Sequence, residues 1–395
     1  MPLMPRTTGL SRTRKALSAP PSIYDDCRSD GLQLKRVVGR GSYGTVWLAE
    51  QHPTKKMFAV KHIHRVFDAR RDTVRVLREV RLLRELRHPN LVALQKLMCP
   101  VNTSTFNDIF VVLELLDTDL AQMINSATVY DLSHRRWVLF QLLRGLSHIH
   151  AAGVVHRDIK PANILINASC DCKICDLGLA RVQREPEKNG LRRLTWSVDA
   201  TQQDQGDGED DVVWSDYVAS RWYRAPELIA CERDRAKYTS KIDLWSVGCI
   251  AAELLTQTVA FPGKSNSQQL TLITDTLGLS AEDIAELDSR SVRKTLLARG
   301  TKKKLSLNPL LSCRGADTEE VGLIERLLVF SPSRRFSADQ AISHPLFAII
   351  ADNPAAQIAH TDIPDLMSDP AASFVSDRKQ PPSPPPSPRT HPAHI

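Results

Sequence analysis

Val154–Arg181 reads VVHRDIKPANILINASCDCKICDLGLAR and holds Asp158, Lys160, Asn163 and Asp176 in one short stretch. Two β-prone runs, Asn163–Asn167 and Cys172–Cys175, lie between them. The order is HRDxxxxN followed by DxG. Moving a phosphoryl group asks little covalent chemistry of a protein. It needs a positioned hydroxyl, held metal ions and neutralised phosphate charge. An aspartate can accept or orient the hydroxyl proton, a lysine can hold the γ-phosphate, and an asparagine with a second aspartate can hold two magnesium ions. Chance produces either half of this pattern. Both halves with a downstream APE, Ala225–Glu227, are not a chance pattern.

Working outward, Leu32–Glu50 reads as strand, glycine turn, strand, with Gly39, Gly41 and Gly44 spaced GxGxxG and Val46 two residues on. The same spacing serves dinucleotide folds, where a helix follows the glycines. Here Thr45–Ala49 is β-prone, so a hairpin covering phosphates is the better reading. Phe58–Lys61 (FAVK) supplies a third strand ending on Lys61, and Val46 and Ala59 are small apolar residues suited to an adenine ring. Asp68–Leu86 is predicted helical, with an apolar stripe of Val76, Leu77, Val80, Leu83 and Leu86. Phe110–Leu116 reads as a buried strand. Ser133–Ala152 reads as a long helix packing Trp137, Phe140, Leu143 and His150 into a core, stopped by Gly153. Thr239–Thr256 is apolar nearly all round, as a fully buried helix is. Its Asp243 is read as a structural residue bonded to the backbone of the HRDxxxxN loop. Val321–Ile349 is predicted as two amphipathic helices broken by SPSRRFS, with Arg335 in the break pairing with Glu227.

The 395 residues carry a formal charge of +7, four units of which lie in the acid-free Met1–Ser22. The remainder is too weakly basic to argue for nucleic acid. Eight cysteines show no disulfide-framework spacing and there is no secretory segment, so a reducing cytoplasmic or nuclear location is expected. No apolar run approaches the roughly eighteen residues of a membrane span. Cys170, Cys172 and Cys175 invite a metal reading, but a structural zinc site wants four ligands, and no fourth has the spacing. The ends differ from the middle. Residues 1–31 read as a disordered basic tail, and 351–395 as an extension ending in the proline-rich QPPSPPPSPRTHPAHI. That tail is a candidate ligand for a proline-binding module.

The glycine hairpin, FAVK, HRDIKPAN, DLG and APE together resemble the protein kinases, over about Leu32 to Phe347. The resemblance implies an α+β, two-lobed fold over 32–350. A small antiparallel β-lobe with one main helix would occupy about 32–115, and a larger, mostly helical lobe about 116–350. It implies ATP and Mg2+, with Asp158, Lys160 and Asn163 catalytic and Asn163 and Asp176 holding metal. ATP would be contacted by Gly39, Gly41, Gly44, Val46, Ala59, Lys61, Leu113 (the gatekeeper position), Leu165 and Cys175, and through the backbone of Glu114 and Leu116. Glu79, in LREV, would pair with Lys61. Lys160 after HRDI implies serine/threonine specificity.

RWYRAPEL, DLWSVGCIAAELL and FPGKSNSQQL resemble the branch containing MAP kinases and cyclin-dependent kinases. LDTDL (Leu116–Leu120), Cys175 and the lip Ser215-Asp216-Tyr217 resemble the MAP kinases in particular, with serine replacing their usual threonine. The implied mechanism is phosphorylation of Ser215 and Tyr217 by an upstream dual-specificity kinase. Arg78, Arg157 and Arg181 would collect the first phosphate, and Arg221 with Arg224 the second. Arg224 would also favour proline after the target residue, giving protein substrates with Ser-Pro or Thr-Pro sites. The segment 182–213 is a long insertion in the activation segment. It reads as a tolerated surface loop, with an intramolecular brake or docking element as the alternative. The acidic docking patch is thin, with Asp352, Asp362 and Asp365 widely spaced. A cyclin-dependent-like kinase is the alternative within the branch. A pseudokinase scaffold is disfavoured because Lys61, Asp158 and Asp176 are all present.

Overall fold

Strands β1 (Leu32–Gly41), β2 (Gly44–Gln51), β3 (Met57–Ile63), β4 (Leu94–Leu97) and β5 (Ile109–Glu114) form one antiparallel sheet in the order β1-β2-β3-β5-β4. The computed structural model describes residues 27, 31–41, 44–98, 106–126, 131–182, 218–231, 239–303, 307, 311 and 315–351. Alternation along β3 sets the sheet's two faces. Phe58 and Val60 are buried with Leu32, Leu34, Trp47, Ala49, Met98, Phe110 and Val112 in a small core. Ala59 and Lys61 point the other way and are half-buried. They line the cleft beneath the sheet.

Helix α1 (Arg70–Glu85) crosses this cleft side, and its Val76, Leu82 and Leu83, with Leu86 just past its end, join the larger core. The expected start at Asp68 is not met, because residues 65–69 form turns before the helix winds. Leu77, assigned to the apolar stripe, is 41% exposed, whereas Arg78 and Glu79 are buried. The helix is rotated so that Glu79 faces the cleft, and Leu77 is carried outward.

The second lobe is helical: α2 (Leu120–Asn125), α3 (Leu132–Ala151), α4 (Val218–Arg221), α5 (Pro226–Ile229), α6 (Lys241–Thr256), α7 (Asn266–Leu277), α8 (Ala281–Ala285), α9 (Arg290–Arg299), α10 (Thr318–Leu327), α11 (Ala338–Ile342) and α12 (Ala348–Ala351). Five short strands support the cleft floor. They are β6 (Thr118–Asp119), paired to β8 (Ile164–Ile166), which pairs with β9 (Cys172–Ile174), and β7 (Val154–Val155), paired to β10 (Arg181–Val182). The chain therefore has the expected α+β, two-lobed architecture. Among the described residues, no helix is long and apolar enough to cross a membrane.

Helix α3 starts on Asp131, whose side chain accepts from the His134 amide at 2.9 Å. Phe140 and Leu143 are buried as expected and Trp137 packs against the core. His150 departs from the core-packing reading, since its Nε2 lies 2.8 Å from Asp243 Oδ2. Arg135 of α3 makes a buried bidentate pair with Glu320 of α10, at 2.7 and 2.8 Å. The segment predicted as two helices over Val321–Ile349 is instead α10, α11, a single turn at Pro345–Phe347, and α12.

Arg335 sits in the break between α10 and α11 and is 1% exposed. Its Nη1 and Nη2 bond Glu227 at 2.7 and 3.0 Å, and its remaining N–H groups reach the carbonyls of Val329, Lys241 and Phe330. The guanidinium also lies 5.1 Å from the centroid of the Trp245 ring. A buried pair satisfied this fully is costly to break from one side, by about 3–5 kcal/mol. Arg335→Ala is expected to lower the melting temperature by on the order of 5–15 °C. A thermal unfolding curve within a degree of wild type would show that this pair does not hold α5 against the helical core.

Candidate active site

The cleft residues come from backbone held in unusual conformations. Arg157 and Asp176 both have positive φ, 72° and 65°, a region that non-glycine residues enter only when the surroundings over-determine it. At Arg157 the restraint is visible. Asp243 of α6, buried and 1% exposed, accepts from the amides of His156 (2.9 Å) and Arg157 (2.9 Å) as well as from His150. Burial alone would raise the Asp243 pKa, but the His150 bond and the neighbouring imidazole and amide donors hold it below the usual carboxylate range. The expected link from Asp243 to the catalytic-loop backbone is thus present. His156 Nε2 in turn donates to the Cys175 carbonyl at 3.1 Å, and the Cys175 amide donates to the Asn163 carbonyl at 2.9 Å. The two halves of the HRDxxxxN…DxG motif are therefore tied to each other through main-chain atoms.

Three donors converge on the Asp158 carboxylate. Lys160 Nζ is 2.6 Å and Asn163 Nδ2 3.0 Å from Oδ2, and the Ser220 hydroxyl donates to Oδ1 at 3.0 Å. Lys160 also donates to Ser220 Oγ at 3.0 Å. Ser220 was not among the residues singled out in the sequence. Its only signal is its place just before RWYRAPE, and nothing local marks that hydroxyl as facing a carboxylate sixty residues upstream. Asn163 Nδ2 bonds the Asp158 main-chain oxygen as well, at 2.8 Å, which leaves its amide oxygen directed away from Asp158.

Across the cleft, Lys61 Nζ lies 2.5 Å from Glu79 Oε1 and 3.8 Å from Asp176 Oδ1. Burial disfavours the ammonium, but the two carboxylates outweigh it and push the Lys61 pKa up. Burial raises the Glu79 pKa, with Asp176 adding to it and Lys61 opposing. Asp176 is also desolvated, yet Lys61 and His156 hold its pKa down. The result is a fixed cation between two carboxylates. Asp176 and the Asn163 amide offer hard oxygen donors, and these fit a hard divalent cation rather than a thiophilic one.

The predicted adenine-side residues Val46, Ala59, Leu113, Glu114, Leu116, Leu165 and Cys175 are all half-buried, as the walls of an open cleft are. Strand register places Val46 opposite Lys61 and Ala59 opposite Leu113. The Glu114 side chain accepts from the Ala93 amide at 2.6 Å and pairs with Lys173 at 2.9 Å. Its carboxylate is thus committed to the scaffold. Burial pushes the Cys175 thiol pKa up, so it stands in the cleft as a neutral thiol. Gly39 and Gly41 lie on β1. Gly44, with φ of 151°, approaches β3 so closely that a Cβ there would lie 2.0 Å from the His62 carbonyl oxygen. This glycine is required by the packing of the hairpin, whatever it does for phosphate.

Of the five arginines expected to receive lip phosphates, Arg78 is buried on α1, Arg181 on β10 pairs with Val155 of β7, and Arg157 follows two residues after that strand. Arg181 donates to the carbonyls of Leu179 and Ala180 at 3.3 and 3.0 Å. Arg221 bonds Asn266 Oδ1 (3.1 Å) and the Lys264 carbonyl (3.2 Å). Arg224 lines a small cavity with Arg157, Asp158 and Tyr223 beneath the catalytic loop. Ser215, Tyr217, residues 183–213 and the tail beyond residue 351 lie outside the described residues.

The protein kinase domain family matches residues 32–347 of the chain. The chain is 42% identical to Mitogen-activated protein kinase 17 of Oryza sativa subsp. japonica over 357 residues, 90% of this chain and 57% of the relative. It is 39% identical to Mitogen-activated protein kinase 7 of Arabidopsis thaliana over 338 residues, 84% of each. With Extracellular signal-regulated kinase 1 of Dictyostelium discoideum the identity is 40% over 320 residues, 81% of this chain and 55% of the relative. The chain thus spans between half and three-fifths of the length of the rice and Dictyostelium relatives, and most of the Arabidopsis one. By the extent of the domain match and by these identities, the chain belongs to the protein kinase family and, within it, to the mitogen-activated protein kinases.

Proposed function

We propose that this protein transfers the γ-phosphoryl group of ATP to serine and threonine hydroxyls of protein substrates. The observation that carries this reading is the convergence of Lys160, Asn163 and Ser220 on one Asp158 carboxylate, across a cleft from the Lys61–Glu79 pair. Asp158 orients the acceptor hydroxyl and takes its proton, Lys160 neutralises charge on the transferred group, and Lys61 fixes the α/β-phosphates. Asn163 and Asp176 would hold magnesium, which supplies charge neutralisation at the phosphates when bound. The test is phosphate transfer from labelled ATP to a generic basic protein and to a positional peptide array. Proline immediately after the acceptor is the expected dominant preference, through Arg224. Selection for upstream arginine with no proline effect would remove the proline-directed assignment.

Control by lip phosphorylation follows from the same reading. Phosphates on Ser215 and Tyr217, added by a dual-specificity kinase, would engage Arg78, Arg157 and Arg181 and, separately, Arg221 and Arg224. The Arg221 contacts to Asn266 and Lys264 would then be exchanged for phosphate oxygens. Serine and threonine phosphates offer the same charge and acceptors, so the missing methyl group does not block this. Ser215→Ala and Tyr217→Phe are each expected to lower activity substantially, with the double variant little worse than the poorer single, as for groups acting as a unit. Mass spectrometry of the active form decides it: full activity with both positions unmodified removes the mechanism. A cytoplasmic or nuclear setting and a proline-reading partner for the C-terminal tail complete the proposal.

A further inference from the structure

The end of β3, the residue after it and the residue before β5 bring together a second cluster of ligand atoms, away from the cleft. Side chains alternate along β3, so His62 points to the side opposite Lys61, and His64 follows just past the strand's end. Ile63 pairs with Ile109, which puts Asp108 across from His64, and directly opposed residues of an antiparallel pair share a face. Both imidazoles converge on one carboxylate oxygen. His62 Nε2 lies 2.7 Å and His64 Nδ1 3.6 Å from Asp108 Oδ2, and the ring centroids are 3.7 Å apart. All three ligand atoms fall within 4.8 Å of one another.

From this geometry we propose that His62, His64 and Asp108 form a binding site for a zinc-type divalent transition metal, separate from the nucleotide cleft. Two imidazoles and a carboxylate are the three-ligand set of an open tetrahedral zinc site, with water in the fourth position. Metal–ligand bonds of about 2.0–2.1 Å at tetrahedral angles put ligand atoms roughly 3.3 Å apart. The two separations to Asp108 Oδ2, 2.7 and 3.6 Å, lie on either side of that value, and the two imidazole nitrogens are no more than 4.8 Å apart. His62 is 1% exposed and its ring stacks on Phe110 at 4.4 Å, so one ligand is fixed. His64 and Asp108, with side chains 45% and 38% exposed, leave a path for the ion. Asp108 Oδ1 already accepts from the Arg65 amide at 3.0 Å, an outer bond that orients the carboxylate as ligating carboxylates usually are. Ligation through His62 Nε2 uses the tautomer protonated at Nδ1, so the ion replaces the proton now shared with Asp108.

The consequence is mechanical. Asp108 and Asn107 hold the connection from β3 to α1 through the amides of Arg65 and Phe67. A bound ion would close β3, β5 and this connection into one unit at the root of the helix that carries Glu79. Binding to the native state alone raises stability.

The test uses the full chain freed of metal by a chelator and titrated with zinc chloride, measuring bound zinc and melting temperature. Wild type is expected to take up one more equivalent than His64→Ala or Asp108→Asn, or to bind it at least tenfold more tightly, and to gain melting temperature that both variants lack. Cobalt chloride gives the second readout. The expected spectrum is the visible band of four-coordinate cobalt without a thiolate charge-transfer band, lost in both variants. Equal zinc uptake in all three proteins, or a thiolate band with cobalt, would overturn the proposal. An unchanged wild-type melting temperature at saturating zinc would overturn it equally, leaving a hydrogen-bonded His–Asp pair only.

Discussion

Asp158→Asn is expected to lower kcat by about 10²–10⁴-fold, the usual share of a positioned acid–base group, while ATP affinity stays within about twofold. The carboxylate receives donors on both oxygens: Lys160 and Asn163 on Oδ2, Ser220 on Oδ1. An asparagine keeps the shape but turns one oxygen into an NH2 group. Whichever way it is placed, a donor then faces a donor. If NH2 meets Ser220, the hydroxyl must rotate away; if it meets Lys160, the ammonium loses its nearest anion. Either way the acceptor hydroxyl would lose its proposed base, and Lys160, proposed to hold the transferred phosphate, would be displaced. The proposed nucleotide anchors, Lys61 and the adenine-side walls, are untouched. Single-turnover phosphate transfer with a parallel nucleotide-binding titration checks both halves. Turnover retained in the purified variant would show that Asp158 is not the base.

Much of this cleft was legible because its chemistry is local. Asp158 and Lys160 lie in the loop after β7, Asn163 ends the single turn Pro161–Asn163 before β8, and β9 carries the chain to Asp176. Longer links were legible only where the residue type is expensive to bury. Asp243 in a mostly apolar helix, and Arg335 in a break between helices, had to find partners, and both found those expected. What the sequence hides is orientation and neutral polarity. Leu77 and Val76 are equally apolar, and only the demand of Glu79 for Lys61 decides which of them faces water. His150 fits an apolar stripe as well as Phe140 does, and its bond to Asp243 depends on an element ninety residues later. Ser220 is a small residue in a run of small residues. Its hydroxyl acquires meaning only when α4 folds back over Lys160.

Lys61→Met is expected to reduce kcat/KM by two orders of magnitude or more, on the scale of losing one preorganised electrostatic contact. It should also destabilise the lobe contact, and the two effects can be separated. Methionine nearly matches the lysine stem in volume, so packing is conserved and charge is what changes. Lys61 is now the cation between Glu79 and Asp176. Without it, buried Glu79 faces Asp176 with nothing to offset burial or like-charge repulsion, both of which already push its pKa up. Glu79 then takes a proton, or α1 swings away from the cleft. Removing both partners tests this. Lys61→Met with Glu79→Leu replaces the ion pair by apolar groups, an exchange that is often neutral or stabilising. Melting temperature should therefore recover toward wild type in the double variant, whereas phosphate transfer should stay as low as in Lys61→Met alone. Recovery of activity along with stability would mean that Lys61 serves only to hold α1. Loss of stability in the double variant beyond that of the single would mean that the charged pair, not the packing around it, keeps the two lobes in register.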